Sequence, residues 1–212
     1  IDNIVVDVDG AELPVMDGSS DPFVLLIESA GVVEQDAARR AIEIRSAVQS
    51  GDDVRGVTFD RGPICSIDFE IDFESSVIGR QRRRLELVGD AFKQDVSKAR
   101  TFGFLSDTEK LRSMGLALGG SLDNAVVIDE DRVLNEGGLR FKDEFVRHKI
   151  LDCVGDLYLA GAPIIGDITA LCSGHMANNQ ALHALFADPS AYRMVEMTSD
   201  MISYPAEMRA TA

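Results

Sequence analysis

The chain is poor in the residues from which metal and redox chemistry is built: it has three histidines and three cysteines among 212 residues. Cys65, Cys153 and Cys172 are odd in number and unevenly spaced, which argues against a disulfide framework and for a reducing compartment. Positive charge is scarce too. With 21 Lys and Arg against 36 Asp and Glu, the net charge of −15 argues against a general nucleic-acid binder, because phosphate binding wants a basic surface. A small anionic substrate needs only a local patch and stays open. No apolar run approaches the length of a membrane span, and the first residues have neither the basic region nor the apolar core of a signal peptide. What remains is an ordinary globular composition, 45% apolar, enough for one large domain or two small ones. The chain starts at Ile1 without a methionine, and Ile4, Val5, Val6 and Val8 read as a strand almost at once. That start is expected of a piece of something longer.

Periodicity then divides the chain. Asp21 is a plausible N-cap with Pro22 at the first helical position, and Gly31 ends that helix. The polar stretch from Glu34 to Arg40 reads as a boundary. Strands are expected at Ile42–Ile44 and at Val54–Phe59. The clearest is Cys65–Phe73, where Cys65, Ile67, Phe69, Ile71 and Phe73 alternate with Ser66, Asp68, Glu70 and Asp72. Arg82–Val88 reads as its antiparallel partner, its basic residues facing those acids across the pair. Asp90 is expected to cap a helix over Ala91–Lys98, and a short helix should run from Asp107 to Gly115. Strands follow at Ala125–Ile128 and Arg132–Leu134, then a long helix from about Asp143 to Leu159. A strand at Ile164–Cys172 and a helix at Ala177–Phe186 complete the pattern. The tail after about Ser199 lacks periodicity and is expected to be disordered.

The chemistry-bearing spacing is His148-Lys149-Ile150-Leu151-Asp152. A histidine and a carboxylate four apart on a helix share a face, as metal ligands do, and Asp156 continues the stripe one turn on. On spacing alone such a pair is more often an ordinary polar contact. Ser173-Gly174-His175 follows between a strand end and a helix start. Adjacent residues rarely point at each other, so Ser173 and His175 are not read as a nucleophile and base. Gly119-Gly120-Ser121 lacks the Gly-Lys-Ser/Thr ending of a phosphate loop and reads as a turn. Arg82-Arg83-Arg84 reads as a solvated strand face, and His183 as structural.

Several longer motifs occur in order: Met16-Asp17-Gly18-Ser19; Ala99-Arg100-Thr101-Phe102-Gly103-Phe104; Gly115 to Ser121; Val133 to Phe141; Asp143 to Asp152; and Ser173-Gly174-His175 with Asn178-Asn179. On these motifs, spread over about residues 1 to 195, the chain closely resembles the UDP-3-O-acyl-N-acetylglucosamine deacetylases, zinc amidases of lipid A biosynthesis. The resemblance implies an α+β fold of two β-α-α-β domains, with the helices packed between the sheets. Residues 1–37 would end an incomplete first domain, and 38–199 would form the second, with a βαβ insert at about 103–135 and a tail over 200–212. It implies Zn²⁺ as cofactor, with His148 and Asp152 as two of its ligands. Lys149 would contact the substrate, Thr101 and His175 would stabilise the oxyanion, and Phe102 would contact the sugar. Asp156 would orient His175, and Phe73 would stack on the uracil. Leu105, Leu122 and Val127 would line a passage for the acyl chain, or form only the small core of the insert. Asp17 matches an acidic position near the site, of unassigned role. The substrate would be UDP-3-O-acyl-N-acetylglucosamine, the protein a cytoplasmic monomer from a Gram-negative organism, with no nucleic-acid partner and no transmembrane segment.

The sequence departs from the family pattern in one way that bears on activity. The family's first zinc ligand and its glutamate base stand in a Glu-His motif upstream of the Ile-Asp-Asn strand. None of the three histidines here follows a glutamate. The expectation is a chain that is inactive alone, with a non-catalytic remnant or a sugar-nucleotide and acyl-chain binding module as the alternative. A smaller departure is Cys172, where some relatives carry a lysine near the diphosphate.

Overall fold

The computed structural model describes residues 1–107 and 119–202. Among them the fold is α+β, with a seven-stranded and a three-stranded sheet. The strands are β1 (Arg40–Ile44), β2 (Val48–Gly51), β3 (Gly56–Asp60), β4 (Cys65–Asp72), β5 (Arg80–Glu86), β6 (Phe102–Phe104), β7 (Val126–Asp129), β8 (Arg132–Val133), β9 (Ile164–Leu171) and β10 (Tyr192–Glu196). The helices are α1 (Asp21–Ala30), α2 (Glu144–Leu157), α3 (His175–Ala187) and the short α4 (Ser199–Ile202).

β9 organises the large sheet. It runs parallel to β1 and β4 and antiparallel to β3, while β10, β2 and β5 pair antiparallel with β1, β3 and β4. Its Ile164, Ile165, Ile168 and Ala170 are buried, as a near-continuous β-branched run inside a sheet should be. β4 follows the expected alternation from Ile67 on, while Ser66, expected on the wet face, is buried beside Asp167. Ile67, Phe69 and Ile71 enter the core, and Asp68 and Glu70 stay on the wet face opposite Arg84 and Arg82 of β5. The Arg82 guanidinium forks diagonally onto Asp68, at 2.9 and 2.8 Å, and Arg80 reaches Glu70 at 2.7 Å. Arg83, on the opposite face, turns instead to Asp95 and Asp143.

One apolar core joins the sheet to the two long helices. Phe145, Val146, Ile150, Cys153 and Leu157 of α2 and Ala181, Leu182 and Leu185 of α3 pack with the sheet residues. These positions recur at helical spacing, so the stripe that holds α2 down fixes which way its other side chains face. The small sheet runs β6-β7-β8, with β6 parallel to β7, and contributes Val126 and Ile128 to the same core.

Several expectations need correction. Ile4–Val8 is not a strand: the segment pairs with no strand among the described residues, with Val5 88% exposed, and an apolar β-branched run becomes a strand only against a partner. The cap of α1 is Ser20, so Asp21 becomes the first helical residue. Val54 lies in the β2–β3 turn, where the Asp52 carboxylate accepts from the Val54 and Arg55 amides. The turn after Asp90 winds as a π-helix over Phe92–Val96. α3 begins at His175, earlier than expected, and residues 199–202 of the supposed tail are helical. The short helix expected from Asp107 to Gly115 falls largely outside the described residues, as does the end of the tail.

Candidate active site

The stripe His148, Asp152, Asp156 runs along α2 as its spacing predicts, and each member has a partner that sets its direction. His148 is buried, with Nδ1 3.0 Å from the carbonyl oxygen of Ala99. A carbonyl only accepts, so Nδ1 carries a proton, and Nε2 is the ring atom left to meet a metal. That Nε2 lies 3.3 Å from Oδ1 of Asp152. Donors at about 2.0–2.2 Å from a tetrahedral ion stand roughly 3.3 Å apart, so this pair has the separation and the chemistry of two metal ligands. Among the described residues no cluster of three His, Cys, Asp or Glu side chains could hold an ion. The pair fits a metal as two donors of a larger set.

Lys149 sits one position along the helix and aims sideways, its Nζ 3.2 Å from the other Asp152 oxygen. It also lines a cleft of about 780 Å³, with Phe73, Phe104, Arg55, Cys172 and Ser173 among the walls. Arg55, from the β2–β3 turn, is a second cation on this cleft; nothing in its exposed, polar sequence surroundings marks it before the hairpin is folded. Cys172 takes a left-handed φ of 43° as the chain leaves β9.

At the far end of the stripe the Asp156 carboxylate accepts from Nδ1 of His175, at 2.9 and 3.0 Å, and from Nδ2 of Asn178, at 2.8 Å. Asn178 is itself buried, and its amide is oriented by the Ser173 hydroxyl, which donates to its Oδ1 at 2.6 Å. Ser173 thus belongs to the site as a support rather than a nucleophile. His175, on the first turn of α3, is 72% exposed and turns Nε2 away from Asp156. His183 is a solvent-exposed helix residue.

Thr101 is seated by backbone bonds on both sides: its amide donates to Gly18 at 2.7 Å, and its carbonyl accepts from Val126 at 2.7 Å. Gly18 has φ +82°, and a Cβ there would lie 2.0 Å from the Asn124 carbonyl oxygen, so only glycine permits this approach. The neighbouring Asp17 bonds to Ser19 and accepts from Arg140 at 2.8 Å. Burial pushes its carboxyl up, but those bonds outweigh it and hold it below the usual carboxylate range. Its place is that of a strut between this turn and the loop before α2.

Phe102 lies 4.9 Å from Phe145 and 5.9 Å from Phe73, ring centre to ring centre, and 6.3 Å from His148. The aromatic series leads from the cleft to the metal-ligand candidate. Leu105 is half-buried, Leu122 48% exposed, and Val127 half-buried between the buried Val126 and Ile128. Val126 and Ile128 belong to the core shared with the large sheet.

The α+β scaffold thus brings together a helix-borne His–Asp pair, a cation beside a cleft and a carboxylate-backed histidine. Comparison with known proteins is specific. The family model for LpxC, UDP-3-O-acyl N-acetylglycosamine deacetylase, matches residues 1–187. The UDP-3-O-acyl-N-acetylglucosamine deacetylase of Pasteurella multocida is 50% identical over 197 residues, 92% of this chain and 65% of that protein. That of Haemophilus influenzae gives the same figures, and that of Stenotrophomonas maltophilia is 47% identical over all of this chain and 71% of its own length. The chain belongs to this deacetylase family, and it spans 65% of the length of the first two relatives.

Proposed function

We propose that this chain carries part of a zinc-dependent deacetylase that hydrolyses the N-acetyl group of UDP-3-O-acyl-N-acetylglucosamine, releasing acetate, in lipid A biosynthesis. The observation that carries the reading is the orientation of His148: its Nδ1 is committed to Ala99, so Nε2 converges with the Asp152 carboxylate at 3.3 Å. The relatives' names supply the substrate and the reaction. Zinc, held by His148 and Asp152 together with a further ligand, would lower the pKa of a water towards neutrality and polarise the acetyl carbonyl.

The chain's own residues then divide the work. The Thr101 hydroxyl and His175 Nε2–H hold the oxygen on which negative charge develops. His175, its ring held against Asp156 through Nδ1, would pass a proton from Nε2 to the departing amine. Lys149 and the cleft beside it take the anionic half of the substrate. Phe73 at the cleft wall stacks on the uracil, and Phe102 borders the sugar. Leu105, Leu122 and Val127 line the acyl passage. The proton of the attacking water would go to a glutamate of the family's Glu-His pair, a dipeptide that does not occur in these 212 residues. In this reading residues 1–37 close a first domain and 38–199 form the second, with its insert at 103–135. The protein acts as a cytoplasmic monomer without a nucleic-acid partner. Among the described residues no helix is long and apolar enough to cross a membrane.

The test is a chimera in which the part of the Pasteurella relative that precedes its match to this chain is joined to Ile1. It should deacetylate the substrate, and His148→Ala and Asp152→Ala should each reduce turnover at least 100-fold, in keeping with loss of a metal ligand. A folded chimera that binds the sugar nucleotide without releasing acetate would instead assign a binding module.

A further inference from the structure

Glu144 is the most deeply buried charge described, with no exposed surface. Its carboxylate accepts four bonds. Oε1 takes the Arg100 amide at 3.0 Å and Arg100 Nε at 2.9 Å; Oε2 takes Arg100 Nη2 at 3.1 Å and the Arg140 amide at 2.6 Å. The Arg100 guanidinium also donates to the Gly138 carbonyl at 2.8 Å. Both oxygens are saturated and the paired charge is almost as buried, so the carboxylate stays ionised in the core. Burial alone would push its pKa up, but these bonds hold it below the usual range.

The position of the amide bond matters most. The N–H that Arg100 offers to Glu144 and the C=O that Ala99 offers to His148 Nδ1 belong to the same peptide group. Glu144 and His148 are also four residues apart on α2, one turn above the other. A single rigid peptide is therefore held at one end by a carboxylate and at the other by an imidazole, both from the same helix. We propose that Glu144 is a positioning residue for His148, acting through the Ala99–Arg100 peptide to fix the ring's tautomer and aim its Nε2 at the metal position. Metal-bound histidines commonly donate their second nitrogen to a carboxylate or a carbonyl. Here the two are in series: the anion polarises the amide, and the polarised carbonyl becomes the stronger acceptor. The same clamp fixes the backbone from Ala99 to Thr101 against the helix.

The metal-affinity part of this proposal rests on the reading of His148 as a ligand; the tautomer part does not. The test uses the full chain with ¹⁵N-labelled histidine, observed at a pH where the ring is neutral, together with cobalt(II) titration. Wild type should show His148 with its proton on Nδ1. Glu144→Gln keeps the shape and removes the charge. It should move His148 towards a mixture of tautomers and weaken cobalt binding about tenfold, the low end for a supporting residue. Arg100→Lys keeps the amide bond to Glu144, and should leave the His148 tautomer as in wild type while lowering the melting temperature.

A folded Glu144→Gln variant with wild-type tautomer and cobalt affinity overturns the proposal. So does an Arg100→Lys variant whose tautomer shifts as much as that of Glu144→Gln, since the ion pair would then act only as structure. Should Glu144→Gln fail to fold, Glu144→Asp draws the carboxylate back by one methylene and is read the same way: a shifted tautomer supports the proposal and an unchanged one refutes it. If wild type shows no cobalt binding that His148→Ala removes, the metal reading fails, and the tautomer comparison still decides the role of Glu144.

Discussion

Replacing Gly18 is the sharpest structural perturbation near the site. Its φ of +82° costs an L-residue roughly 1–2 kcal/mol. In addition, an added Cβ would lie 2.0 Å from the Asn124 carbonyl oxygen, 2.8 Å from its carbon and 3.3 Å from Thr101 Cγ2. Two of those three atoms are backbone, so the turn must retreat by more than 1 Å, and the 2.7 Å bond from the Thr101 amide to Gly18 goes with it. Together these place Gly18→Ala at about 3–5 kcal/mol, the range of large, mechanism-specific losses. For a chain of this size that is a fall in melting temperature of about 6–20 °C by circular dichroism. Gly79 provides the control, with φ +59° and nothing within 4 Å of its Cβ position. Gly79→Ala should cost only about 1 kcal/mol and Gly79→Asn close to nothing, because asparagine tolerates the left-handed region. At Gly18, asparagine should be as damaging as alanine, since the contact rather than φ dominates. A loss below 2 °C at Gly18, or a Gly18→Asn variant much milder than Gly18→Ala, would refute the reasoning.

Other outcomes follow from the buried groups. Asp17, Asp68, Asp143 and Glu144 all sit below their ordinary pKa in the folded chain. Their stabilisation is therefore present above about pH 4 and lost as pH falls through the folded values, so melting temperatures recorded from pH 6 to pH 3 should fall, and a flat profile would contradict this. Burial pushes the Cys65 thiol up to about 12 and raises that of the fully buried Cys153 further. In the native chain at pH 8 a disulfide reagent should label Cys172 first, with all three labelled only after denaturation; native labelling of Cys153 would be inconsistent with its burial. Asn178→Leu strips a donor from Asp156 and leaves the Ser173 hydroxyl without its partner. It should cost about 1–3 kcal/mol in urea unfolding, whereas His175→Ala, at an exposed side chain, should cost under about 0.5 kcal/mol. Equal costs would mean that the buried support is not what holds Asp156.

Much of this was legible before folding. The α2 stripe, and the β4 alternation from Ile67 on, survive because each is a local period imposed by a single buried face. β2 and β10 escaped notice because edge strands are half wet: in β10, Arg193, Met194 and Glu196 are exposed, and in β2 Val48 is the only large apolar side chain. Ile4–Val8 misled for the opposite reason, having strand composition but no partner among the described residues. Glu144 was invisible as a site feature. An acid at a helix start reads as a favourable terminal charge, and its burial depends on Arg100, 44 residues away. Asn178 follows the Ser-Gly-His motif closely in sequence, yet its link to Asp156 exists only once α3 packs beside α2.

The claim that His148 and Asp152 are two ligands of an incomplete zinc site is tested most directly by titrating the chain with zinc against a competing chelator. The account predicts weak binding that disappears in His148→Ala and in Asp152→Ala, is untouched in His183→Ala, and is accompanied by no deacetylation. Binding unaffected by either ligand variant, or tight stoichiometric zinc with turnover, would contradict it.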